Sequence, residues 1–417
     1  MEIESEKSTM LYRLEVENFY SIRDRQVIDL CAAANAPAEP GRLAPLWKGA
    51  EEKAPKVVAL FGANASGKSN VLKALSFIAW FLKDSFSSPR GSRLPFQRFN
   101  DQEMSQSPTR LAIHLGGLED MTRMGDPDAA QCRYAYDVKF GGGAEPCVDS
   151  ETLHYWPVHA SHKIKLRKIR LFERDATGAV TAAKAFGLTG FRQALDKVLR
   201  PDASVIATLA QLEHPFSKII LNTASLLNTN ILIERHEGSD DLAIRYFAAV
   251  PKLIEIFNRE IERIDLGIQL MQVQPGSNGP IAVFTHEGLA APMQMIYESH
   301  GTRQFIRIYP YIWRALETGG VAVLDELDSS IHPMLLPEIL RWFYDSERNP
   351  HDAQLWMSCQ NASLLEDLIK EEVLFCEKDR SGRTHVYGLR DIQSVRRTDN
   401  YYRKYFSGAF GAVPRIG

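Results

Sequence analysis

The sequence predicts an α/β fold in which a core of short buried strands is split by a β-rich subdomain and a helical insertion. Three observations carry this reading. Short apolar runs at Lys56–Phe61 and Val321–Leu324 fit buried strands, and each leads into a polar turn. From Arg110 to about Glu173 apolar and polar residues alternate in short runs, the period of half-buried antiparallel strands. From Phe186 to about Arg263 the period becomes helical, with Pro201, Pro215 and Gly238 as breaks.

Taken in order, Met1–Thr9 is polar and acidic, unlike a signal peptide. Leu11–Phe19 alternates and predicts a strand, and a turn leads to a second strand at Gln26–Leu30. Ala32–Pro55 is rich in Ala, Pro and Gly and predicts a loop. The strand at Lys56–Phe61 is followed by a glycine-containing loop and a helix over Ser69–Lys83. Asp84–Pro108 is polar and irregular. After the helical stretch, Ile264–Val273 and Ile281–Thr285 return to strand character. Ile306–Leu316 predicts a helix, Val321–Leu324 a buried strand, Met334–Phe343 a helix, and Gln354–Ser358 and Glu372–Cys376 further parallel strands. The expected organisation is an amino-terminal lobe over 1–185, a helical insertion over 186–263 and a carboxyl-terminal lobe over 264–417.

The chain has 417 residues, 45% of them hydrophobic, which suffices for a large core. Its formal net charge of -3 excludes a global basic field, so any nucleic-acid contact must come from a local patch. Five scattered cysteines (Cys31, Cys132, Cys147, Cys359, Cys376) form no CxxC pair, and the histidines show no HExxH spacing. The expectation is a reduced, cytoplasmic protein without structural zinc. The longest apolar stretch, around Leu75–Leu82, is short of a membrane span, so no membrane association is expected.

The chemistry concentrates in two motifs. Gly62-Ala63-Asn64-Ala65-Ser66-Gly67-Lys68-Ser69 fills the pattern G-x-x-x-x-G-K-[ST]. Its glycines let the backbone curl so that N–H groups face phosphates, and the following helix aims its positive end at the same charge. Lys68 is then expected at the β- and γ-phosphates, and the Ser69 hydroxyl on magnesium. The second motif is Asp325-Glu326, at the end of the Val321–Leu324 strand. There Asp325 is expected to hold the metal through water, and Glu326 to polarise the attacking water as general base.

Around these motifs a family resemblance appears. Asp325-Glu326-Leu327-Asp328-Ser329-Ser330-Ile331-His332-Pro333 resembles the extended Walker B and D-loop of ABC-type ATPases related to RecF, SMC and OLD proteins. Glu298-Ser299-His300-Gly301-Thr302-Arg303 resembles the ESxGT form of their signature motif. Lys56–Asn70 and Glu17-Asn18-Phe19-Tyr20-Ser21-Ile22 also fit. Leu199-Arg200-Pro201-Asp202, Phe284-Thr285-His286 and the segment Tyr405–Pro414 resemble the AAA15-type ATPases of prokaryotic defence loci, with Ala409 where that family carries Arg. The resemblance touches both halves of the chain and is weakest in the middle.

The resemblance implies a split ABC-type P-loop ATPase head that binds ATP and Mg2+. Gly62, Asn64, Ala65, Ser66, Gly67, Lys68, Ser69 and Asn70 would surround the nucleotide. Ser299, Gly301, Thr302 and Asp328 would act on nucleotide held by a second copy, so hydrolysis would need a homodimer or higher oligomer. The alternative reading of Ser299 is a helix N-cap with no ligand. The family places a phosphate-sensing His after the strand Gln354–Met357. Here Gln360 stands there, and Gln cannot carry a proton as His can, so slow turnover is expected. Gln97 falls in the interval of the family's glutamine loop and is a candidate metal contact, with a plain surface glutamine as the alternative.

For the role, the resemblance implies a nucleotide-gated sensor and scaffold in an anti-phage, abortive-infection system. Its effector would be a separate TOPRIM-like or HNH nuclease or toxin, as in the PARIS, Septu and AbiL systems. The stretch after Gln360 is expected to be too short for a TOPRIM domain of its own. The alternative is a RecF- or SMC-like repair ATPase that clamps DNA. Two basic stretches bear on this. Lys163, Lys165 and Arg167 alternate with apolar residues, which suits phosphate contacts, an acidic partner or a protected edge strand. Arg390, Arg396, Arg397, Arg403 and Lys404 are interleaved with Tyr401, Tyr402 and Tyr405, which suits base stacking or a packed subdomain.

Overall fold

The computed structural model describes residues 9–413 apart from 33–35, 37, 38, 124, 125, 127, 143–145, 159–166, 232–239, 265 and 266. The chain opens with β1 (Thr9–Glu17), β2 (Gln26–Asp29), a short pair β3 (Leu43–Pro45) and β4 (Lys53–Pro55), β5 (Val57–Phe61) and helix α1 (Lys68–Asp84). Then come β6 (Thr109–Leu118), β7 (Gln131–Phe140), β8 (Val148–Val158), β9 (Ile169–Arg174) and β10 (Val180–Ala182). Helices α2 (Arg192–Val198), α3 (Val205–Gln211) and α4 (Pro215–Ala224) lead to β11 (Leu227–Thr229). Next are α5 (Asp240–Ala249), α6 (Pro251–Ile264), β12 (Ile268–Gly276), β13 (Gly279–His286) and β14 (Met293–Gln294). The last third holds α7 (His300–Thr318), β15 (Val321–Leu324), α8 (Leu335–Tyr344), β16 (Gln354–Ser358), β17 (Val373–Lys378), β18 (Thr384–Gly388) and α9 (Tyr401–Phe406).

The fold is α/β. The core sheet runs β11-β15-β16-β5-β17-β18, parallel except at its β17–β18 edge. Strands from distant parts of the sequence therefore lie side by side, as a split core requires. Alternate residues of each central strand enter two different cores. Val58 and Leu60 face one with Val321, Val323, Trp356 and most of α1. Val57, Ala59 and Phe61 face the other with Ala322, Leu324, α7 and α8. Burial on both faces explains why these strands read as unbroken apolar runs. The second large sheet is antiparallel, in the order β10-β9-β8-β7-β6-β1-β2.

Several expectations are corrected in detail. The loop expected over Ala32–Pro55 contains the β3–β4 pair. The stretch 186–263 is not purely helical, because β11 joins the core sheet beside β15. Helix α7 begins at His300, well before the expected Ile306, and accommodates Pro310 internally. Lys163 and Lys165 of the first basic stretch lie outside the described residues. The second basic stretch is largely committed to intrachain packing. Arg397 pairs with Glu371, Arg390 donates to the carbonyls of Cys31 and Asp29, Lys404 pairs with Asp399, and Tyr401 and Tyr405 are buried. Among the described residues no helix is long and apolar enough to cross a membrane.

Candidate functional site

The loop between β5 and α1 has the backbone its sequence demands. Gly62, Ala65 and Gly67 all have positive φ, at 146°, 61° and 106°. A Cβ on Gly62 would stand 2.2 Å from the Cys376 carbonyl oxygen, and one on Gly67 would stand 2.2 Å from Thr384 Oγ1. Both positions therefore need glycine for space as well as for conformation. The N–H groups of Asn64, Ala65, Gly67, Lys68 and Ser69 find no acceptor among the described residues. Ser66 is buried, and its Oγ is also without a partner. Lys68 Nζ curls back to the carbonyls of Gly62 (2.7 Å) and Ala63 (3.1 Å). A nest of free N–H groups, a buried ammonium and a helix N-terminus make an anion site.

Other parts of the chain brace this loop. Thr384 Oγ1 donates to Ser66 O (2.8 Å) and bonds Ser21 Oγ (2.7 Å), which accepts from Asn70 Nδ2 (2.7 Å). The Ala63 N–H donates to Ala412 O (3.1 Å), so the carboxyl-terminal segment lies against the loop. At the other end of α1, Arg200 donates to the carbonyls of Ser85, Phe86 and Ser88 and is held by Asp202. That cation at the carbonyl end of the helix complements its dipole.

The paired acids arrive from β15. Ser69 Oγ donates to Asp325 Oδ1 (3.0 Å), which joins the two motifs across 256 residues of sequence. Ser358, at the end of β16, donates to the same oxygen (2.5 Å) and accepts from the Glu326 N–H (2.7 Å). Asn230, just past β11, exchanges two hydrogen bonds with the Asp325 backbone. Glu326 has φ +50° and projects into solvent. Asp328 Oδ2 accepts from the N–H groups of Gln360 (2.7 Å) and Asn361 (2.5 Å), while its buried Oδ1 has no partner among the described residues. Burial pushes the Cys376 thiol up to about 12 and Cys359 well above the usual thiol range. Neither therefore offers a thiolate to the site.

The Ser299 side chain accepts from the Thr302 N–H (3.1 Å) and bonds its hydroxyl (2.8 Å), so it caps α7. Ser299 is nonetheless exposed. A Cβ on Gly301 would stand 2.3 Å from Ser330 O, so the start of α7 packs directly on the turn after the paired acids. His286 Nε2 bonds Glu298 Oε1 (2.7 Å), and Arg303 and Arg307 both reach Asp240 of α5.

The structure thus brings together Gly62, Asn64, Ala65, Ser66, Gly67, Lys68, Ser69, Asn70, Asp325 and Glu326, with Asp328 and Gln360 linked to each other at the rim. Gln360 is exposed and makes this link through its N–H. Gln97 is exposed, its carbonyl accepts from the Tyr20 N–H (2.7 Å), and no contact among the described residues joins its side chain to Ser69 or Asp325. Ser299, Gly301 and Thr302 form their own cap at the start of α7. Ser358, Asn230 and Thr384 were not singled out from the sequence as site residues, and no local pattern marks them, whereas Ala412 falls in the Tyr405–Pro414 segment already noted for its family resemblance.

The residues present fit a magnesium nucleotide. The N–H nest, Ser66 Oγ and Lys68 suit phosphate oxygens, and the Ser69–Asp325 pair offers two hard oxygen donors suited to Mg2+.

A family model described as "AAA domain, putative AbiEii toxin, Type IV TA system" matches residues 57–358. Among solved structures, an SmcHead bound to the C-winged helix domain of ScpA is similar at TM-score 0.43 and 14% identity, over 91% of this chain and 97% of that one. An Smc head domain with an extended coiled coil, bound to the C-terminal domain of ScpA derived from Pyrococcus furiosus, gives 0.41 and 12%, over 91% and 96%. Comparison with curated proteins gives no match.

Proposed function

We propose a function from the premise that the chain belongs to the AAA-domain family of that model. The protein is an ABC-class ATPase of the AAA15 and OLD-like kind, hydrolysing ATP to ADP and phosphate. The observation that carries this is the hydrogen bond between Ser69 and Asp325, which joins a phosphate-binding loop to an acidic strand end in one site. Magnesium, when bound with ATP, would neutralise phosphate charge. Lys68 leaves its loop carbonyls for the phosphates, and the N–H groups of the loop orient them. Glu326 takes a proton from the attacking water. The water oxygen bonds the γ-phosphorus, the bond to the β–γ bridging oxygen breaks, and ADP leaves with that electron pair. Gln360 can hydrogen-bond the γ-phosphate but cannot take up its proton, which favours slow turnover.

Two copies close on the nucleotide, with Ser299 and Gly301 of one facing the phosphate held by the other. Supporting this, three of the most exposed large apolar side chains, Met334 (80%), Tyr297 (73%) and Ile296 (65%), flank the start of α7 and the turn after the paired acids. Large exposed apolar side chains of this kind mark interaction surfaces. The biological role is a nucleotide-gated sensor and scaffold in an anti-phage system, working through a separate nuclease or toxin. Family resemblance supports this role. The test is to express the tagged protein with its immediate gene neighbours, as wild type and as Glu326→Gln. A stoichiometric nuclease or toxin whose hold changes with ATP trapping is expected. An ATPase recovered alone, carrying DNA and stimulated by it, would replace this reading with a DNA-repair clamp.

A further inference from the structure

Asp325 sits one residue beyond β15, where the sheet no longer supplies partners on the β11 side. The last ladder pair on that side is Thr229 with Val323. A backbone N–H and C=O at such a position would ordinarily turn to solvent and leave the side chain free to swing. Asn230 prevents this. Its Oδ1 accepts from the Asp325 N–H (2.9 Å), and its Nδ2 donates to the Asp325 carbonyl (3.0 Å). An amide side chain offers a donor and an acceptor in the same geometry as a backbone peptide group, so Asn here acts as an extra residue of strand. Asn230 is itself fixed, since its N–H donates to Val323 O (3.3 Å). The preceding Thr229 hydroxyl bonds Ser76 on α1 (3.0 Å). One short segment therefore grips both the acid-bearing strand and the helix that carries the phosphate loop.

The geometry points to Asn230 as a positioning residue that aims the Asp325 carboxylate at the divalent cation of the nucleotide. This rests on the reading of the site as a magnesium–ATP site. With the Asp325 backbone clamped on one side and its Oδ1 held by Ser69 and Ser358 on the other, the carboxylate has one orientation. Without the clamp, the strand end frays and the metal loses a placed ligand, while the phosphate loop, built from β5 and α1, stays whole. The side-chain bonds of Asn230 go to the Asp325 backbone, so its effect passes through Asp325. Asn230 also lies in the segment that joins α4 to the core sheet.

The test titrates the full chain with a ribose-labelled fluorescent ATP, with Mg2+ and with EDTA. Wild type binds more tightly with Mg2+. In Asn230→Leu, which keeps the size and loses both bonds, the Mg2+-dependent gain falls about tenfold while EDTA affinity stays within about twofold, the pattern of a lost metal contact. Asn230→Gln retains both groups and restores part of the gain. If the Leu variant does not fold, Asn230→Asp keeps the acceptor, replaces the donor with a carboxylate oxygen facing the Asp325 carbonyl and is expected to lower the same Mg2+-dependent gain. Wild-type Mg2+ dependence in a folded variant overturns the inference. So does an equal loss with and without Mg2+, which marks a general loosening. A wild-type chain that binds no nucleotide in either condition refutes the reading of the site itself, and the inference with it.

Discussion

Gly62→Ala tests whether the phosphate loop has the close-packed geometry described. At φ +146° an alanine occupies a region essentially reserved for glycine, at about 1–3 kcal/mol. Its Cβ also meets the Cys376 carbonyl oxygen at 2.2 Å. That carbonyl cannot rotate away, because it belongs to β17, which is hydrogen-bonded to β5 on one side and β18 on the other. Overpacking against such a fixed neighbour costs about another 1–3 kcal/mol. The sum, about 2–6 kcal/mol, is a large part of ordinary domain stability. Part of it is relieved if the loop shifts, and then nucleotide affinity falls at about tenfold per 1.4 kcal/mol. Gly91→Ala is the control: φ is +74°, but nothing lies within 4 Å of the new Cβ. It should lose only the strain, about 1–2 kcal/mol, and bind ATP normally. Thermal unfolding and ATP titration of both variants decide the matter. A Gly62→Ala protein as stable as Gly91→Ala, with wild-type ATP affinity, would refute the reasoning.

Three further outcomes follow from the same structure. His286→Ala frees Glu298 beside the α7 cap, so ATP-dependent dimer formation should weaken several-fold while ATP binding by the single chain stays unchanged, as sizing and ATP titration would show. Tyr297→Glu with Met334→Glu puts charge on the exposed face near α7 and should abolish the ATP-dependent dimer in mass photometry without lowering the melting temperature. Burial pushes Glu372 from an ordinary value near 4.5 up to about 7, against the pull of Arg42. A carboxyl raised on folding contributes stability that is complete below its unfolded value and is lost as pH rises through its folded value. Glu372→Gln should therefore flatten the fall in urea midpoint between about pH 4.5 and 7, and an unchanged slope would refute the assignment.

The phosphate loop and the paired acids were legible because each is a contiguous pattern whose spacing the chemistry dictates. The strands β5 and β15 were legible because burial on both faces leaves them without polar positions. β11 was not, since three residues show no period of their own and fall inside the stretch that read as helical, directly after α4. The start of α7 was legible only in part. The apolar period begins at Ile306, while the N-cap reading of Ser299 already allowed the helix to begin at His300, where it does. Ser358, Asn230 and Thr384 are common polar residues on β16, just past β11 and on β18, respectively. They gain a role only when the sheet places those strand ends around one loop. Arg200 and His286 belong to segments the family resemblance had marked, and the structure supplies their physical tasks, a helix C-cap and an anchor for Glu298.

The most direct test of the ATPase assignment is hydrolysis and mass measured together for wild type, Lys68→Ala and Glu326→Gln. The account predicts that wild type releases phosphate slowly. Glu326→Gln should bind ATP, release almost none and accumulate as a particle of at least twice the chain mass, and Lys68→Ala should do neither. Wild-type hydrolysis by Glu326→Gln, or by Lys68→Ala, would contradict it.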